Sequence, residues 1–231
     1  MPNEDECREL LKNSRLFGSF APKVIDAIIP LLTLSRFEPD NLVCLKGDES
    51  DCLYIVREGE VEISVSSSDG KIILLGLLSR GDVFGEVGLL DGESRTANVT
   101  ARTAVSLYRL GSADFEKITR LFGVDEFMAL TSYICFLFRG VTNNLEATMF
   151  LDASIRVAKK IQGLYDKGAG EKEGNGFSVT ISQEDLGRMA GLSREATNKA
   201  LSRLEEKSLI SHKYKKITVP DAVKFAKALA D

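Results

Sequence analysis

The sequence predicts an α+β protein with an N-terminal β-domain, a long helix and a C-terminal winged helix-turn-helix domain. Three observations support this prediction. Short apolar runs separated by turn residues occupy positions 34–110, a helical apolar repeat follows at 127–151, and two short helical patterns flank Gly191. The predicted domain boundaries are residues 1–124, 125–151 and 152–231.

The first part of the chain changes from helical to strand-like patterning. Residues 4–32 have apolar positions at helical spacing, interrupted by Gly18 and Pro22, and we expect short helices that cover one end of a β-structure. The pair Asp69-Gly70, between two apolar runs, predicts a two-residue hairpin. Many short strands at regular spacing favour a sandwich or barrel. The predicted strands are residues 42–45, 52–56, 61–65, 72–78 and 105–110.

A glycine-rich stretch at residues 85–97 is the first candidate for a binding site. Its glycines, beginning with Gly85, allow tight turns that bring backbone N–H groups close to a ligand. Arg95 and Thr96 place a guanidinium beside a hydroxyl, and this pair suits a phosphate. Glu86 would repel a phosphate alone, but it can accept a hydrogen bond from a neighbouring hydroxyl such as a ribose 2′-OH. The stretch therefore predicts a nucleotide site, and the alternative is a glycine-rich β-turn with a surface arginine.

The helical pattern at residues 127–151 is typical of a heptad seam, because its apolar positions alternate in steps of three and four. A self-paired coiled coil, giving a homodimer, explains so apolar a helix beside a small β-domain. The alternative is a single helix packed on its own domain. Asn144, which is polar at a d position, would help to fix the register. The predicted seam consists of Phe127, Leu130, Ile134, Leu137, Val141, Asn144, Thr148 and Leu151.

The segment after this helix contains a cap and a glycine-rich stretch. Asp152 is placed to N-cap a helix over residues 153–165. Residues 168–176 are polar, rich in glycine and without periodicity, so we expect a mobile surface loop.

Residues 182–204 carry the pattern of a helix-turn-helix motif. Ser182 is a good N-cap for the first helix, Gly191 ends that helix, and Ser193 caps the second. Residues 213–219 then predict a strand of a wing hairpin. The predicted inner faces are Leu186, Met189 and Ala190 on the first helix and Ala196, Ala200, Leu201 and Leu204 on the second.

The pattern G-E-x-G-L-L…R-T-A at residues 85–97 resembles the phosphate-binding cassette of cyclic-nucleotide-binding domains. From about residue 15 to 220, the chain as a whole resembles the CRP/FNR family of bacterial transcription regulators. The resemblance implies that the N-terminal domain is a cyclic-nucleotide-binding β-roll with the cassette on its open side. It also implies that the long helix is a dimerisation helix.

The resemblance assigns the ligand contacts to two parts of the chain. Gly85, Glu86, Arg95 and Thr96 form the cassette. In the family, two adjacent hydroxyl residues near the end of the long helix contact the adenine, one from each subunit. The matching positions here are Val141 and Thr142, of which only Thr142 has a hydroxyl. We therefore favour cAMP as the ligand and keep cGMP as an alternative.

The resemblance also assigns the contacts with DNA, whose bases the second helix of such a motif reads in the major groove. Arg194, Glu195 and Lys199 match the family's three base-reading positions. An arginine can donate two hydrogen bonds to guanine, a glutamate can accept one from cytosine, and a lysine meets guanine as a point charge. Asn198 could also reach a base. Ser182 and Ser193 bond phosphates or only cap their helices, and the alternative for the three base-reading positions is a solvated helix face.

The charge distribution agrees with a nucleic-acid-binding C-terminal segment. The formal net charge of the chain is −4, which by itself argues against such a partner. Residues 177–219, however, contain eight Lys and Arg against five Asp and Glu, whereas residues 1–176 contain twenty against twenty-seven. This asymmetry is the electrostatic pattern expected of a DNA-binding domain.

No metal site is expected. The four cysteines form no C-x-x-C pair, and the single histidine, His212, has no partners at metal-ligand spacing. Some CRP/FNR proteins hold an iron–sulfur cluster through closely spaced N-terminal cysteines, but Cys7 alone lies in that region. Cys44 and Cys52 fall in apolar strand-like runs, so we expect them to be buried small hydrophobes.

The remaining patterns narrow the class of protein. No apolar run reaches the roughly 18 residues of a membrane helix, and the first residues are acidic and polar, so we expect a cytoplasmic protein without a membrane partner. No kinase motif, P-loop or nucleophile–base pattern indicates an enzyme. The leading interpretation is a cyclic-nucleotide-responsive transcription regulator that binds palindromic double-stranded DNA as a homodimer, with RNA polymerase as a candidate further partner. The alternatives are a nucleotide-independent or otherwise regulated member of the same family, and a cyclic-nucleotide module that controls an enzyme or channel.

Overall fold

The computed structural model describes residues 3–67 and 72–230. These residues divide into two compact units. The first unit contains the chain up to Gly140 except residues 72–74, and the second contains residues 72–74 together with the chain from Val141 onward. The division therefore falls within the long helix, and each unit is described by itself below.

The first unit begins with short helices, as the apolar spacing predicts. Helices α1 (Glu4–Asn13) and α2 (Pro22–Ile28) are followed by a 3-10 turn at Ile29–Leu31. The Asn3 side chain caps α1 by accepting a hydrogen bond from the Asp5 amide, at 3.1 Å.

Eight strands and one short helix follow. The strands are β1 (Thr33–Phe37), β2 (Leu42–Cys44), β3 (Cys52–Glu58), β4 (Val61–Ser66), β5 (Ile72–Leu78), β6 (Val83–Phe84), β7 (Asn98–Ala101) and β8 (Val105–Gly111), with α3 (Glu86–Asp91) between β6 and β7. They form two four-stranded sheets, in the orders β1-β8-β3-β6 and β2-β7-β4-β5. All five predicted strands are confirmed, and the hairpin predicted at Asp69-Gly70 lies outside the described residues.

The first sheet packs on both of its faces, as the alternation of side chains along β3 shows. Leu53 and Ile55 point to the core formed with α1 and α2, whereas Val56 contributes to a second core between the two sheets. Strand β8 is central, because Tyr108 lies opposite Leu34 of β1 and Ile55 of β3. The N-terminal helices therefore cover the outer face of a two-layered β-structure.

The long helix α5 (Val124–Phe150) follows α4 (Ser112–Thr119). The buried carboxylate of Glu126 accepts hydrogen bonds from the amides of Ala21 and Gly123, at 3.0 and 2.8 Å, so the start of α5 is tied to the N-terminal helices. Two predicted seam residues, Leu130 and Leu137, pack against the core of the first unit. Other large apolar side chains of this helix are exposed, including three that belong to the predicted seam. The exposed side chains include Phe127, Ile134, Phe138, Val141, Leu145 and Met149.

The second unit contains the remaining elements. These are α6 (Ala153–Asp166), β9 (Gly170–Glu173), β10 (Gly176–Thr180), α7 (Gln183–Ala190), α8 (Arg194–Glu206), β11 (Ser211–Lys213), β12 (Lys216–Val219) and α9 (Ala222–Ala230). Its sheet has the order β11-β12-β10-β9, and its core joins Val157 and Ile161 of α6 to Leu201 of α8 and Phe225 of α9. The predicted cap is confirmed, since the Asp152 carboxylate accepts a hydrogen bond from the Ser154 amide at 2.7 Å.

The mobile loop predicted at residues 168–176 is wrong. Most of this stretch is β9 and the turn into β10, with Gly176 paired to Glu173. The Glu173 carboxylate accepts hydrogen bonds from Ser178 Oγ at 2.8 Å and Lys216 Nζ at 2.6 Å, so it links β9 to its neighbour β10 and to β12 beyond it. Polar residues and glycines in this stretch form an exposed edge strand because tertiary pairing overrides their weak strand propensity.

Across residues 3–67 and 72–230, no helix combines the length and the apolar character that crossing a membrane requires.

Candidate functional site

The glycine-rich stretch folds into a turn, one short helix and a second turn. Gly85 lies between β6 and α3 with a φ of +82°, a conformation that favours glycine. Helix α3 ends at Gly92, which is also left-handed, with a φ of +75°. Arg95 and Thr96 then lead into β7, so the chain returns to the β-structure directly after them.

Arg95 is folded back against the turn at Gly85. Only 5% of its side chain is exposed; Nη1 donates to the Gly85 carbonyl at 3.0 Å, and Nη2 donates to Cys52 Sγ at 3.2 Å. The carboxylate of Asp51 lies 3.8 Å from Nη2. A Cβ atom on residue 85 would stand 2.1 Å from Arg95 Nη1, so the guanidinium can occupy this place only beside a glycine. The alternative interpretation predicted that this arginine lies on the surface. That prediction is wrong, because Arg95 is buried.

Glu86 is a buried carboxyl group in the same neighbourhood. Glu86 is 6% exposed, and burial raises the pKa of its carboxyl group. A hydrogen bond from its own backbone N–H and the positive charge of Arg95 act to lower this pKa. The structure thus brings Gly85, Glu86 and Arg95 together. Thr96 follows Arg95 and is exposed, which leaves its hydroxyl accessible to a ligand.

Two residues of this site carry no signal in the local sequence. Cys52 and Asp51 precede the cassette by more than thirty positions, and they meet Arg95 because β3 lies in the same sheet as β6. Cys52 is fully buried, as expected for a small hydrophobe, but its sulfur also accepts a hydrogen bond. Cys44 is only half-buried.

The two positions assigned to the base of the ligand, Val141 and Thr142, lie on α5 in the second unit. Both are exposed, Val141 by 66%.

The helix-turn-helix motif forms as its caps predict. Ser182 Oγ accepts a hydrogen bond from the Asp185 amide at 3.0 Å, and Ser193 Oγ accepts one from the Ala196 amide at 3.2 Å. Gly191 ends α7 in the left-handed region, with a φ of +64°. The side chains of Ser182 and Ser193 are therefore N-caps in this structure.

Close packing of α7 on α8 depends on a pair that the sequence prediction missed. Thr197 is fully buried and its Oγ1 donates to the Ser193 carbonyl at 2.9 Å. A Cβ atom on Gly187 of α7 would lie 2.5 Å from that Oγ1. Ala200, Leu201 and Leu204 are buried as predicted, whereas Ala196 is only half-buried.

The opposite face of α8 is exposed. Arg194, Glu195, Asn198 and Lys199 all lie on it, at the spacing i, i+1, i+4 and i+5 that places residues on one side of a helix. These side chains occupy the first turns of α8, which is the part of such a helix that can reach base edges.

The region C-terminal to α8 is the predicted wing. Strands β11 and β12 pair from Ser211↔Thr218 to Lys213↔Lys216, so a wing hairpin forms. The strand predicted over residues 213–219 is confirmed at Lys216–Val219 only, because residues 214 and 215 form the turn. His212 lies on β11 with its Nδ1 at 3.0 Å from Glu205 Oε1. Within residues 3–67 and 72–230, no group of three or more His, Cys, Asp and Glu side chains could hold a metal ion.

Comparison with known families agrees with this division of the chain. Residues 34–121 match the family model of the cyclic nucleotide-binding domain, and residues 155–228 match that of the Crp-like helix-turn-helix domain. The fold and the two matched domains define a DNA-binding transcription regulator with a cyclic nucleotide-binding domain.

Three similar proteins illustrate this class. The CRP-like cAMP-activated global transcriptional regulator of Mycobacterium tuberculosis is 30% identical over 228 residues, which cover 95% of this chain and 98% of that protein. The cAMP-activated global transcriptional regulator Vfr of Pseudomonas aeruginosa is 27% identical over 85% of this chain and 94% of its own. The solved structure of the c-di-GMP-responsive global regulator CLP of Xanthomonas campestris covers 86% of this chain and 99% of its own, with a TM-score of 0.74 and 20% identity.

The chain belongs to the CRP/FNR family of transcription regulators. Members of this family regulate transcription and are not enzymes.

Proposed function

We propose that the protein is a homodimeric, sequence-specific regulator whose binding to DNA is controlled by a cyclic nucleotide, with cAMP favoured over cGMP. The observation that carries this proposal is the joint burial of Arg95 and Glu86 at the Gly85 turn. A cyclic phosphate has anionic oxygens for the guanidinium, and the neighbouring 2′-OH can donate to the carboxylate.

The hydrogen-bond partners of Arg95 explain why a phosphate would be taken up. Both partners, the Gly85 carbonyl and the Cys52 sulfur, are uncharged acceptors. A phosphate adds an opposite charge and can accept two parallel hydrogen bonds from the guanidinium, so its oxygens compete favourably for the same donors. The exposed Thr96 hydroxyl would add a third hydrogen bond.

The choice of cAMP rests on relatives and on α5. Two relatives that match over most of their length are described as cAMP-activated. Thr142 supplies one of the two hydroxyls that the family uses at the adenine, and Val141 replaces the other. The missing hydroxyl keeps cGMP as the second candidate.

Dimerisation is supported by the exposed apolar side chains of α5. Phe127, Ile134 and Phe138 in the first unit and Val141 and Leu145 in the second are at least 37% exposed, and such a series on one helix favours burial against a second copy. A twofold dimer presents two α8 helices to one DNA duplex. The preferred operator is therefore palindromic, with half-sites about one helical turn apart.

On this operator Arg194, Glu195 and Lys199 contact bases, Asn198 is a fourth candidate, and Ser182 and Ser193 add phosphate contacts from their helix caps. The regulator acts in the cytoplasm, where the bacterial chromosome lies, and RNA polymerase is the partner through which it would change transcription. The nucleotide can shift the protein between two states only by the difference in its affinity for them.

A second candidate function is a nucleotide-independent regulator of the same family. The observation that favours it is the engagement of Arg95 with partners inside the chain, together with the missing hydroxyl at Val141. In this case Arg95 would be a structural residue that fastens β3 to the Gly85 turn.

Isothermal titration calorimetry distinguishes the two functions. We expect cAMP to bind most tightly, cGMP more weakly, and c-di-GMP and the uncyclised 5′-AMP hardly at all. Arg95→Ala should weaken cAMP binding by about 100-fold, because two charge-assisted hydrogen bonds are lost. Arg120→Ala, which removes an exposed arginine from the end of α4, is the matched control and should bind as the native protein does. Absence of heat with all four nucleotides would favour the nucleotide-independent function.

A further inference from the structure

The second unit contains a cavity that lies outside both of the sites described above. Its volume is about 470 Å³, within the roughly 300–1,000 Å³ that is typical of small-molecule sites. The start of α6, the end of α8 and helix α9 form its wall, through residues such as Ala158, Leu204 and Phe225. The base-reading positions begin at Arg194, at the other end of α8, so the cavity does not belong to the candidate DNA-binding surface.

The wall of the cavity is mainly apolar, and its charges balance. Its other apolar residues are Ile155, Leu209, Ala228 and Leu229. Its charged residues are two acids, Asp152 and Glu206, and two bases, Arg203 and Lys207. Asp152 and Arg203 are half-exposed and lie 3.5 Å apart, so this ion pair stands at the mouth of the cavity. A balanced set of charges favours an uncharged occupant, because a charged ligand would lose its hydration without gaining an opposite charge.

One polar group in the wall has no partner. Ser154 is 7% exposed, and its Oγ is buried and forms no hydrogen bond with any residue that the structure describes. Its amide donates to the Asp152 carboxylate at 2.7 Å, so the backbone of this turn is satisfied while the hydroxyl is not. A buried hydroxyl without a partner costs stability, which an alanine at this position would avoid. A ligand with one hydrogen-bonding group would supply the missing partner.

We propose that this cavity binds an uncharged apolar molecule with a single hydroxyl or carbonyl group. The polar group pairs with Ser154 Oγ, and the apolar part lies against the side chains of α8 and α9. Such a ligand differs in kind from a cyclic nucleotide, which carries a negative charge and a ribose. The inference depends on neither nucleotide binding nor DNA binding, so its test can fail while the proposed function stands.

Three small aromatic probes test the proposed chemistry. 2-Naphthol is a phenol and is therefore uncharged at pH 7. Naphthalene lacks the hydroxyl, and 2-naphthoate carries a negative charge. Each probe is titrated into the whole protein, and binding is followed by NMR of the Ile and Leu methyl groups.

We expect 2-naphthol to shift the methyl signals of the cavity wall, which come from Ile155, Leu204, Leu209 and Leu229. Naphthalene should shift the same signals with about fivefold weaker affinity, because it forms no hydrogen bond. 2-Naphthoate should shift none of them. The signals of Leu11 and Ile25, in the core of the first unit, should not move with any probe.

Two alanine substitutions test the role of the hydroxyl. Ser154→Ala should lower the affinity for 2-naphthol about fivefold, to that of naphthalene, and should not lower the melting temperature. Ser106→Ala is the matched control. Ser106 of β8 is also buried, and its Oγ also has no partner among the described residues, but it lies in the first unit. This variant should bind both probes as the native protein does.

Two phenylalanine substitutions on α9 test the location. Ala228→Phe places a ring in the cavity and should abolish binding of 2-naphthol and naphthalene. Ala226→Phe adds the same ring at an exposed position of the helix and should change neither affinity.

Several results would overturn the inference. One is the absence of methyl shifts when 2-naphthol is added to the native protein. Another is a preference for 2-naphthol over naphthalene that Ser154→Ala leaves intact. Tighter binding of 2-naphthoate than of 2-naphthol would refute the choice of an uncharged ligand, and unchanged binding by Ala228→Phe would place the probes elsewhere.

Discussion

At the scale of single residues, the candidate ligand site contains two buried ionisable side chains of opposite sign, Arg95 and Glu86, at the Gly85 turn. The Arg95 guanidinium is 5% exposed, its two hydrogen bonds go to a carbonyl and a sulfur, and its ion pair with Asp51 is long. Asp51, at 3.8 Å, is close but beyond hydrogen-bond distance. In the proposed function, the surrounding residues hold Arg95 in place before the anionic ligand arrives.

The close approach of Arg95 to Gly85 can be tested separately from the left-handed backbone conformation of this glycine. Gly85→Ala should abolish detectable cAMP binding, because the new Cβ would lie 2.1 Å from Arg95 Nη1 and displace the guanidinium. Gly92→Ala is the matched control, since Gly92 is also left-handed but has no neighbouring atom within 4 Å of the added Cβ. We expect both variants to lose about 1 kcal/mol of unfolding free energy from backbone strain. Calorimetry should find cAMP binding retained by Gly92→Ala alone, and equal affinities in the two variants would contradict the assignment.

The raised pKa of Glu86 predicts a pH-dependent stability effect. The folded protein holds the Glu86 proton to a higher pH than the unfolded chain does, so the stability contributed by this group falls as pH rises from about 4.3 through the raised pKa. Glu86→Gln should therefore melt at a higher temperature than the native protein at pH 7, and the difference should shrink towards pH 4. The same variant should bind cAMP about tenfold more weakly, because the 2′-OH loses a charged acceptor.

Thermal unfolding between pH 4 and 8 and calorimetry at pH 7 measure these two effects of Glu86→Gln. Glu93→Gln changes an exposed carboxylate of the same cassette and should alter neither quantity. A melting temperature of Glu86→Gln below that of the native protein at pH 7 would show that the carboxylate stabilises the fold.

The sequence predicted Glu86 and Arg95 as neighbours in one site because both belong to a short contiguous pattern. It could not predict Cys52 or Asp51, whose contact with Arg95 depends on the pairing of β3 within its sheet. It also could not predict that Arg95 would be buried, because burial follows from how the turn folds back on that sheet.

At the scale of helices and strands, the features that depend on local interactions are predicted more accurately than those that depend on contacts between distant parts of the chain. Helix caps are local, and the caps at Asp152, Ser182 and Ser193 all form as predicted. Strand β9 was missed because its stability comes from pairing with β10 and from the contacts of Glu173 rather than from its own residues. The strands β1, β6 and β7 were missed for a similar reason, since they are short or partly polar.

The packing of α7 against α8 gives a prediction at this scale. Gly187→Ala should destabilise the helix-turn-helix by about 1–2 kcal/mol, because the added Cβ would lie 2.5 Å from Thr197 Oγ1, which is buried and hydrogen-bonded. Gly163→Ala is the control within α6. It has no atom within 4 Å of the added Cβ, and it should stabilise that helix by up to about 1 kcal/mol.

Hydrogen–deuterium exchange of peptides covering residues 183–206 measures the effect on the motif itself. Faster exchange in Gly187→Ala, with unchanged exchange in Gly163→Ala, is the expected result. Equal exchange in all three proteins would mean that the two helices can separate without cost at this contact.

At the scale of the whole molecule, the sequence predicted the order of the domains better than it predicted which side chains of α5 pack on the same chain. A heptad pattern does not reveal which apolar positions face the same chain. Leu130 and Leu137 pack on the first unit, whereas Phe138 and Leu145, which lie outside the predicted seam, are 70% and 58% exposed. Homodimerisation remains a prediction, and the exposed side chains say where to test it.

Phe138→Glu should convert the dimer to a monomer, because burial of a charge in an apolar interface is unfavourable and a phenylalanine contributes about 1.5–3 kcal/mol when buried. Ser132→Glu adds the same charge about 120° around the helix and should leave the dimer intact. Sedimentation equilibrium at micromolar concentration gives the two masses. A monomeric native protein, or a dimeric Phe138→Glu variant, would contradict dimerisation through α5.

The central claim is that a nucleotide bound at Arg95 and Glu86 controls the DNA-binding domain. A coupling of 1–3 kcal/mol between two sites changes affinity by about 5- to 150-fold, which is readily measured. The direct test is the affinity for a duplex that the protein has selected from a random pool in the presence of cAMP. It is measured by fluorescence anisotropy, with and without saturating cAMP, for the native protein and for Arg95→Ala. We predict that cAMP tightens binding of the native protein at least tenfold and leaves Arg95→Ala unchanged at its weaker, ligand-free affinity. Equal affinity of the native protein with and without cAMP would contradict control of DNA binding by the nucleotide.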